Sequence, residues 1–99
     1  MTNSRYVAGR AFEYKVAKQL KEEGWQVLRA AGSHGPYDLV AWSPEVGVRL
    51  IQCKIVKDNA AAKRMEEQWL AASDPSPLYK QELMMWIRSE KLTAVAEVG

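Results

Sequence analysis

The chain has 99 residues, of which 47% are hydrophobic, and a formal net charge of +2 at pH 7. This hydrophobic content, which includes four tryptophans, excludes a disordered chain, and no apolar run approaches the roughly 20 residues of a membrane span. A single cysteine, Cys53, excludes an internal disulfide, and the first residues lack the apolar core of a signal peptide. We therefore expect one cytoplasmic domain, residues 1–99, which buries only about two-thirds of its unfolded surface.

The positions of the basic residues suggest where nucleic acid could bind, because Lys and Arg are dense early in the chain and again near its middle. Clustered Lys and Arg side chains bind the phosphates of nucleic acids, although solvated helix faces carry the same residue types. We assign Lys18 and Lys21 to such a solvated face. The candidates for phosphate contact are Arg5, Arg10, Arg29, Lys57, Lys63 and Arg64. Acidic residues gather elsewhere, at Glu22, Glu23, Glu66, Glu67 and Glu82.

The first predicted element is a helix over residues 4–23. Ser4 suits its N-cap, and Gly24 suits the position just past its end. Glu13 lies about 100° round the helix from Phe12, so its carboxylate is either a surface group or a site residue that points along a sheet. The apolar stripe that would pack on that sheet consists of Phe12, Val16 and Leu20.

A strand at 25–29 and a glycine-containing loop at 30–35 lead to a predicted hairpin. Its strands, 36–42 and 48–55, are rich in branched and aromatic residues, and 43–47 has turn chemistry. A hairpin centred in this turn places Asp38 opposite Gln52. Because strand side chains alternate between faces, Gln52 and Lys54 are expected on the face of Asp38. The opposite face is expected to carry Ile51, Cys53 and Ile55.

The remaining predicted elements are a helix at 60–72 and strands at 83–88 and 92–98. Asp58 or Asn59 suits the N-cap of this helix, and two prolines in 73–77 exclude both helix and central strand there. The predicted order is α-β-β-β-α-β-β, an α/β fold in which helices flank a mixed sheet. The apolar run 84–87 has apolar side chains on both faces, which either a second helix layer or a subunit interface would explain.

Polar groups at one end of the hairpin suggest a chemical site. Asp38, Gln52 and Lys54 stand in otherwise apolar strands, where a polar group is costly unless it meets a partner or an ion. A carboxylate, an amide oxygen and an ammonium together are typical of a divalent-metal site that acts on phosphodiesters.

These residues resemble the PD-(D/E)XK nuclease superfamily. Pro36-Tyr37-Asp38 matches the first half of its pattern, with Tyr37 inserted between the proline and the acid. Gln52-Cys53-Lys54 matches the second half, with glutamine in place of the usual acid, as in Mrr-type restriction endonucleases.

Two upstream segments are similar to archaeal-type Holliday junction resolvases. They are Gly9-Arg10-Ala11-Phe12-Glu13 on the first helix and Ala31-Gly32-Ser33-His34-Gly35 in the loop before the hairpin. The resemblance runs from about Arg5 to Lys57 and implies a restriction-endonuclease-like fold. It also implies a homodimer, which favours the interface explanation of the apolar run 84–87.

The resemblance assigns roles to the site residues. It implies Mg²⁺ or Mn²⁺, held by Asp38, Glu13, the amide oxygen of Gln52 and the backbone carbonyl of Cys53. Lys54 would stabilise the pentacovalent phosphate or orient the attacking water. The loop would border the scissile phosphate, with Ser33 in the active site and His34 at the DNA or exposed to solvent.

Three functions follow from these observations. The first is a homodimeric, metal-dependent, structure-selective endonuclease that resolves four-way DNA junctions. The second is another endonuclease of the superfamily, of nicking, repair or restriction type, favoured by Gln52. The third is a catalytically silent DNA-binding module of the same fold.

Overall fold

The computed structural model describes residues 4–30 and 37–98, and the side chains of 7–30 and 37–98. The elements follow the predicted order α-β-β-β-α-β-β. They are α1 (Ser4–Glu22), β1 (Gln26–Arg29), β2 (Leu39–Ser43), β3 (Gly47–Val56), α2 (Asn59–Ala72), β4 (Tyr79–Ile87) and β5 (Leu92–Val98). Within the described ranges, no helix is long and apolar enough to cross a membrane.

The end of α1 is set by glycine. Gly24 has φ +99°, a left-handed conformation that side-chain-bearing residues rarely adopt. Trp25 N donates to Leu20 O and Gly24 N donates to Lys21 O, both at 3.0 Å, which satisfies the last carbonyls of the helix. The chain therefore turns at the predicted glycine and runs directly into β1.

The five strands form one sheet in the order β1-β2-β3-β4-β5. All neighbouring pairs are antiparallel except β3 and β4, which are parallel and are connected through α2. The β2–β3 register pairs Leu39 with Ile51 and Val40 with Leu50. This is the predicted register, and its continuation by one residue would set Asp38 opposite Gln52.

Each face of the sheet is covered by one helix. The α1 side buries Leu39, Ala41 and Ile51 together with Phe12 and Leu20. The α2 side buries another cluster, which consists of Val56, Ala62, Leu83, Met85, Ile87 and Ala96. The central strands β3 and β4 therefore contribute apolar side chains to both layers.

The double-sided apolar run in β4 has its explanation in these two layers. Met84 and Trp86 pack against the α1 cluster, whereas Met85 and Ile87 belong to the α2 cluster. Ile87 is only 3% exposed within its own chain. The preference for a subunit interface as the reason for this run is therefore corrected, because the second helix layer accounts for it.

An ion pair joins β3 to β4 within the α1 side of the sheet. Arg49 Nε donates to Glu82 Oε2 at 2.6 Å, and Nη2 donates to Oε1 at 2.8 Å. The guanidinium carbon also lies 4.7 Å from the centre of the Trp25 ring. Glu82 is 2% exposed, so this acid is buried and paired, whereas Glu22, Glu23 and Glu67 are exposed. The pair locks the two parallel strands in register.

Candidate active site

A cleft of about 470 Å³ opens where β2 begins and β3 approaches its end. It lies between the N-terminal half of α1 and the sheet. Its wall contains two carboxylates and several cations among apolar groups. The lining residues are Gly9, Arg10, Glu13, Asp38, Cys53, Lys54, Ile55, Val56, Lys57 and Arg88.

Asp38 is fixed at the point where the β2–β3 ladder stops. Its backbone N donates to Ile51 O and its carbonyl accepts from Ala30 N, both at 2.8 Å. Among the described residues, no strand pair between β2 and β3 forms beyond Leu39 and Ile51. Backbone amides alternate sides along a strand, so the next β3 amide after Ile51 on the β2 side is that of Cys53. Cys53 N donates to Asp38 Oδ2 at 2.8 Å and not to a backbone carbonyl of β2. The carboxylate thus takes the place of a missing backbone acceptor and is directed into the cleft.

Glu13 brings a second carboxylate from α1 to the same cleft. Its side chain is 18% exposed, and its Oε1 lies 3.6 Å from Arg29 Nε. Burial raises the pKa of Glu13 above its ordinary value of 4.5, and the negative charge of Asp38 raises this pKa further. Arg29, Arg10 and Lys54 act in the opposite direction and lower the pKa. Two carboxylates that repel each other across a cleft are the arrangement that a divalent cation relieves.

Arg29, a predicted DNA contact, packs behind Glu13. Its side chain is 22% exposed and its guanidinium lies 5.0 Å from the centre of the Tyr14 ring. Arg29 Nε is buried and has no hydrogen-bond partner among the described residues. At 3.6 Å its contact with Glu13 is an ion pair and not a hydrogen bond. This geometry suits a side chain that supports Glu13.

Lys54 and Gln52 both lie on β3 and share a smaller cavity, but of the two Lys54 alone also lines the main cleft. Lys54 is exposed and lines both the main cleft and a smaller cavity of about 220 Å³. Gln52 lines the smaller cavity, beside Trp69 and Leu83 on the α2 side, and does not line the main cleft. The Gln52 side chain lies on the α2 side of the sheet, as the alternation of side chains along β3 requires. The Asp38 carboxylate instead accepts a hydrogen bond from Cys53 N and lines the main cleft. The structure therefore brings Glu13, Asp38 and Lys54 together and leaves Gln52 next to them.

Cys53 faces the α1 cluster and its thiol is not reactive. Burial, and then the charges of Asp38 and Glu13, raise the pKa of the thiol to about 12. The thiol is therefore protonated at neutral pH and cannot act as a nucleophile. The side chain of Cys53 therefore acts as a small hydrophobic group, and its backbone N bonds the Asp38 carboxylate.

Apart from Arg29, the predicted DNA-contacting and loop residues fall into three groups. Arg10 and Lys57 line the cleft, whereas Lys63 and Arg64 are exposed on α2. The Arg5 side chain, Ser33 and His34 lie outside the described residues. Sequence reasoning missed Arg88, which also lines the cleft.

Arg88 reaches the cleft through the parallel pairing of β3 and β4. Val56 pairs with Ile87, and Arg88 N donates to Val56 O at 3.0 Å, so Arg88 continues the strand end beside Lys57. Only the parallel register brings these two cations together. The hydrophobic pattern of the sequence does not give that register.

The donor set suits a hard divalent cation. Within 4–30 and 37–98, no group of three or more His, Cys, Asp or Glu side chains could hold a metal ion. Mg²⁺ nevertheless binds commonly through one or two carboxylates, with water and substrate phosphate as the other ligands. The bond from Cys53 N uses one lone pair of the Asp38 carboxylate, which leaves capacity for a cation.

The raised pKa of Glu13 predicts a pH-dependent stability. The fold favours protonated Glu13, so this contribution is complete below 4.5 and is lost as pH rises through the raised folded pKa. Glu13→Gln carries no titrating proton. The unfolding free energy of Glu13→Gln, relative to wild type, is therefore expected to rise over this pH window in metal-free buffer.

Urea unfolding followed by tryptophan fluorescence between pH 4 and pH 8 would measure this difference. Glu67→Gln, which makes the same change at an exposed position on α2, is the matched control. A difference between Glu13→Gln and wild type that stays constant with pH would contradict the stated electrostatics of Glu13.

Comparison with known proteins assigns the family. The family model for the archaeal Holliday junction resolvase (Hjc) matches residues 4–71, which span α1 to the last turn of α2 and contain Glu13, Asp38 and Lys54. No curated protein matches the chain. The five-stranded mixed sheet with two flanking helices is the restriction-endonuclease-like fold expected from the resemblance. Because the match covers more than half of its length, the chain belongs to the archaeal Holliday junction resolvase family, whose members are nucleases of branched DNA.

Proposed function

We propose that this protein is a metal-dependent, structure-selective endonuclease that hydrolyses phosphodiester bonds at four-way DNA junctions. The observation that carries the proposal is that Glu13, Asp38 and Lys54 meet in one cleft within the matched part of the chain. Cationic side chains edge the same cleft, as the binding of a DNA backbone requires. They are Arg10, Lys57 and Arg88.

Asp38 and Glu13 would hold Mg²⁺ or Mn²⁺. When bound, the ion would supply charge neutralisation at the phosphate and a more acidic water. The backbone carbonyl of Cys53 is a third proposed ligand. The amide oxygen of Gln52 is a fourth, and its smaller cavity shares Lys54 with the main cleft.

The residues of the chain itself have separate tasks. The ammonium group of Lys54 would stabilise the negative charge that develops on the phosphorane oxygens. Arg29 would keep Glu13 in place through the contact at 3.6 Å. Ser33 and His34 remain proposed residues of the loop beside the scissile phosphate. The exposed cations of α2, Lys63 and Arg64, would bind DNA outside the site.

A second candidate function is a DNA-binding module of the same fold without catalysis. One observation favours it, because Gln52 replaces an acid and lines a different cavity from Asp38. The site would then bind metal weakly in the absence of DNA. Cleavage of a labelled four-way junction and of a linear duplex of the same sequence, with and without Mg²⁺, separates the two functions. Equal cleavage of both substrates would instead indicate a less selective endonuclease of the superfamily.

Asp38→Asn is expected to lower junction cleavage at least about 100-fold, because it removes the charge that binds the metal. Lys54→Ala is expected to lower the cleavage rate at saturating DNA about as strongly, because it removes a group that acts in the transition state. Single-turnover cleavage of a labelled junction, together with binding in EDTA, measures both effects. Junction affinity is expected to change less than about fivefold.

The matched controls are Glu67→Gln and Lys80→Ala, which change exposed charges outside the cleft and should retain the wild-type rate. Cleavage by Asp38→Asn within a few-fold of wild type would exclude the proposed metal site.

Gln52→Glu restores the acid that is common in the superfamily. An added charge near the ion in a partly buried site is expected to lower the half-saturating Mg²⁺ concentration for cleavage by about tenfold. The control is Gln68→Glu, which adds the same charge to the same small cavity, on α2. If both variants shift the Mg²⁺ dependence equally, or neither does, Gln52 is not a metal ligand.

We also propose that the protein acts as a homodimer. Two sites related by a two-fold axis could cut two strands of a junction symmetrically. Val95 on the edge strand β5 is 50% exposed, and it lines a groove of about 310 Å³ with Phe12 and Met84. This groove could bury apolar surface against a second copy, which a chain with a small core would use.

Sedimentation at micromolar concentration is expected to give about twice the monomer mass of 11.2 kDa. Val95→Glu should shift the protein toward monomer, because an interface core tolerates charge poorly. Leu78→Glu, at an apolar position that is 80% exposed and outside the groove, is the control. A monomer that cuts both junction strands at matched positions would contradict the dimer.

A further inference from the structure

Tyr37, which directly precedes Asp38, belongs to a hydrogen-bond network that crosses the sheet. Its hydroxyl donates to Gln81 Oε1 on β4 at 2.5 Å. The amide nitrogen of Gln81 donates in turn to the backbone carbonyl of Asp74, in the segment between α2 and β4. The network thus joins the residue before Asp38 to β4, 44 positions away, and to the segment that leads into β4.

The anchor of the network is a buried amide. Gln81 is 3% exposed and pairs with Leu50 on one side and Val98 on the other, so it sits between two strands of the sheet. A buried amide is costly unless both its oxygen and its nitrogen are bonded. Tyr37 satisfies the oxygen and Asp74 satisfies the nitrogen. The bond to Tyr37 is therefore one that Gln81 requires.

The direction of the Asp38 carboxylate depends on the residues that flank it. On the C-terminal side, Leu39 enters the regular β2–β3 ladder. On the N-terminal side there is no ladder pair among the described residues, and Tyr37 ties the chain to β4 instead. The peptide that carries Asp38 is thus held between a strand pair and a side-chain anchor.

We propose that Tyr37 is a positioning residue whose hydroxyl, anchored on Gln81, holds the Asp38 carboxylate against Cys53 N and directs it into the cleft. The catalytic consequence rests on the proposed function, but the positioning itself does not. The inserted residue in Pro36-Tyr37-Asp38 thereby has a physical task. It extends the chain before the acid so that a phenol can reach the buried strand.

The state of the phenol is consistent with this task. Burial, and secondly the neighbouring Tyr79, raise the pKa of Tyr37 above its ordinary value of 10.0. The hydroxyl therefore keeps its proton at neutral pH and can donate it to Gln81 Oε1. Tyr37→Phe removes this donor while it keeps the ring.

The first test is free of metal and of catalysis. The amide of Cys53 reports the position of Asp38 because it donates to Oδ2. In ¹⁵N spectra of Tyr37→Phe in EDTA we expect a shifted Cys53 amide resonance and hydrogen exchange faster by about tenfold. Tyr79→Phe removes a neighbouring hydroxyl from β4 that does not bond Gln81 in the described part of the chain, and should leave the Cys53 amide unchanged. An unchanged Cys53 amide in Tyr37→Phe would overturn the proposal, whatever the enzyme does.

The second test separates positioning from stability. Tyr37→Phe leaves Gln81 Oε1 buried without a donor, so it should also lower the melting temperature. Tyr37→Phe combined with Gln81→Met removes both partners, which restores much of the lost stability. If Tyr37 positions Asp38, cleavage stays about tenfold slow in the double variant, with junction affinity in EDTA within about twofold of wild type. Recovery of cleavage together with stability would show a merely structural role and overturn the proposal.

Failure of the proposed function has a different signature. A wild-type protein that cleaves no junction, but whose Cys53 amide responds to Tyr37→Phe, would refute the nuclease and leave the positioning of Asp38 intact. A perturbed Cys53 amide with a wild-type cleavage rate would instead refute the importance of that position for the reaction.

Discussion

The site depends on one hydrogen bond, from Cys53 N to the carboxylate of Asp38, at 2.8 Å. It forms where β2 and β3 cease to pair, so a side chain replaces the backbone acceptor that a continued ladder would supply. This replacement gives an acid on a short strand a fixed direction. It also leaves lone pairs on the carboxylate for a cation. The Asp38 carboxylate can take this position because the pairing of β2 with β3 ends at Leu39 and Ile51 among the described residues.

The two carboxylates of the cleft repel each other, which lowers the stability of the metal-free fold but would favour a bound cation. Glu13 is partly buried beside a second carboxylate, and both effects raise its pKa. Arg29 behind it and Lys54 in the cleft compensate only in part. A folded protein that keeps repelling acids together retains a cost that a bound cation would remove. This residual repulsion is a cost that the proposed Mg²⁺ or Mn²⁺ would relieve.

The packing of the central strands β3 and β4 holds the residues of the cleft in position. β3 and β4 are covered on both faces, and the buried pair of Arg49 and Glu82 joins them. Their parallel register carries both strands to the same end, where Lys57 and Arg88 edge the cleft. The pairing of β3 with β4, away from the carboxylates, therefore determines the positions of Lys57 and Arg88.

The sequence by itself determined the elements, their order and the hairpin register, because apolar periodicity and turn residues act locally. It also predicted Glu13, Asp38 and Lys54 as site residues, and the structure brings these three together. It did not place Gln52 in a separate cavity, Arg29 behind Glu13, or Glu82 in the core. Alternation along a strand gives the face of a regular residue, but not the direction of a side chain where the ladder ends. The bond of Tyr37 to Gln81 spans 44 positions, and only the tertiary structure could decide it, because it requires the packing of the whole sheet.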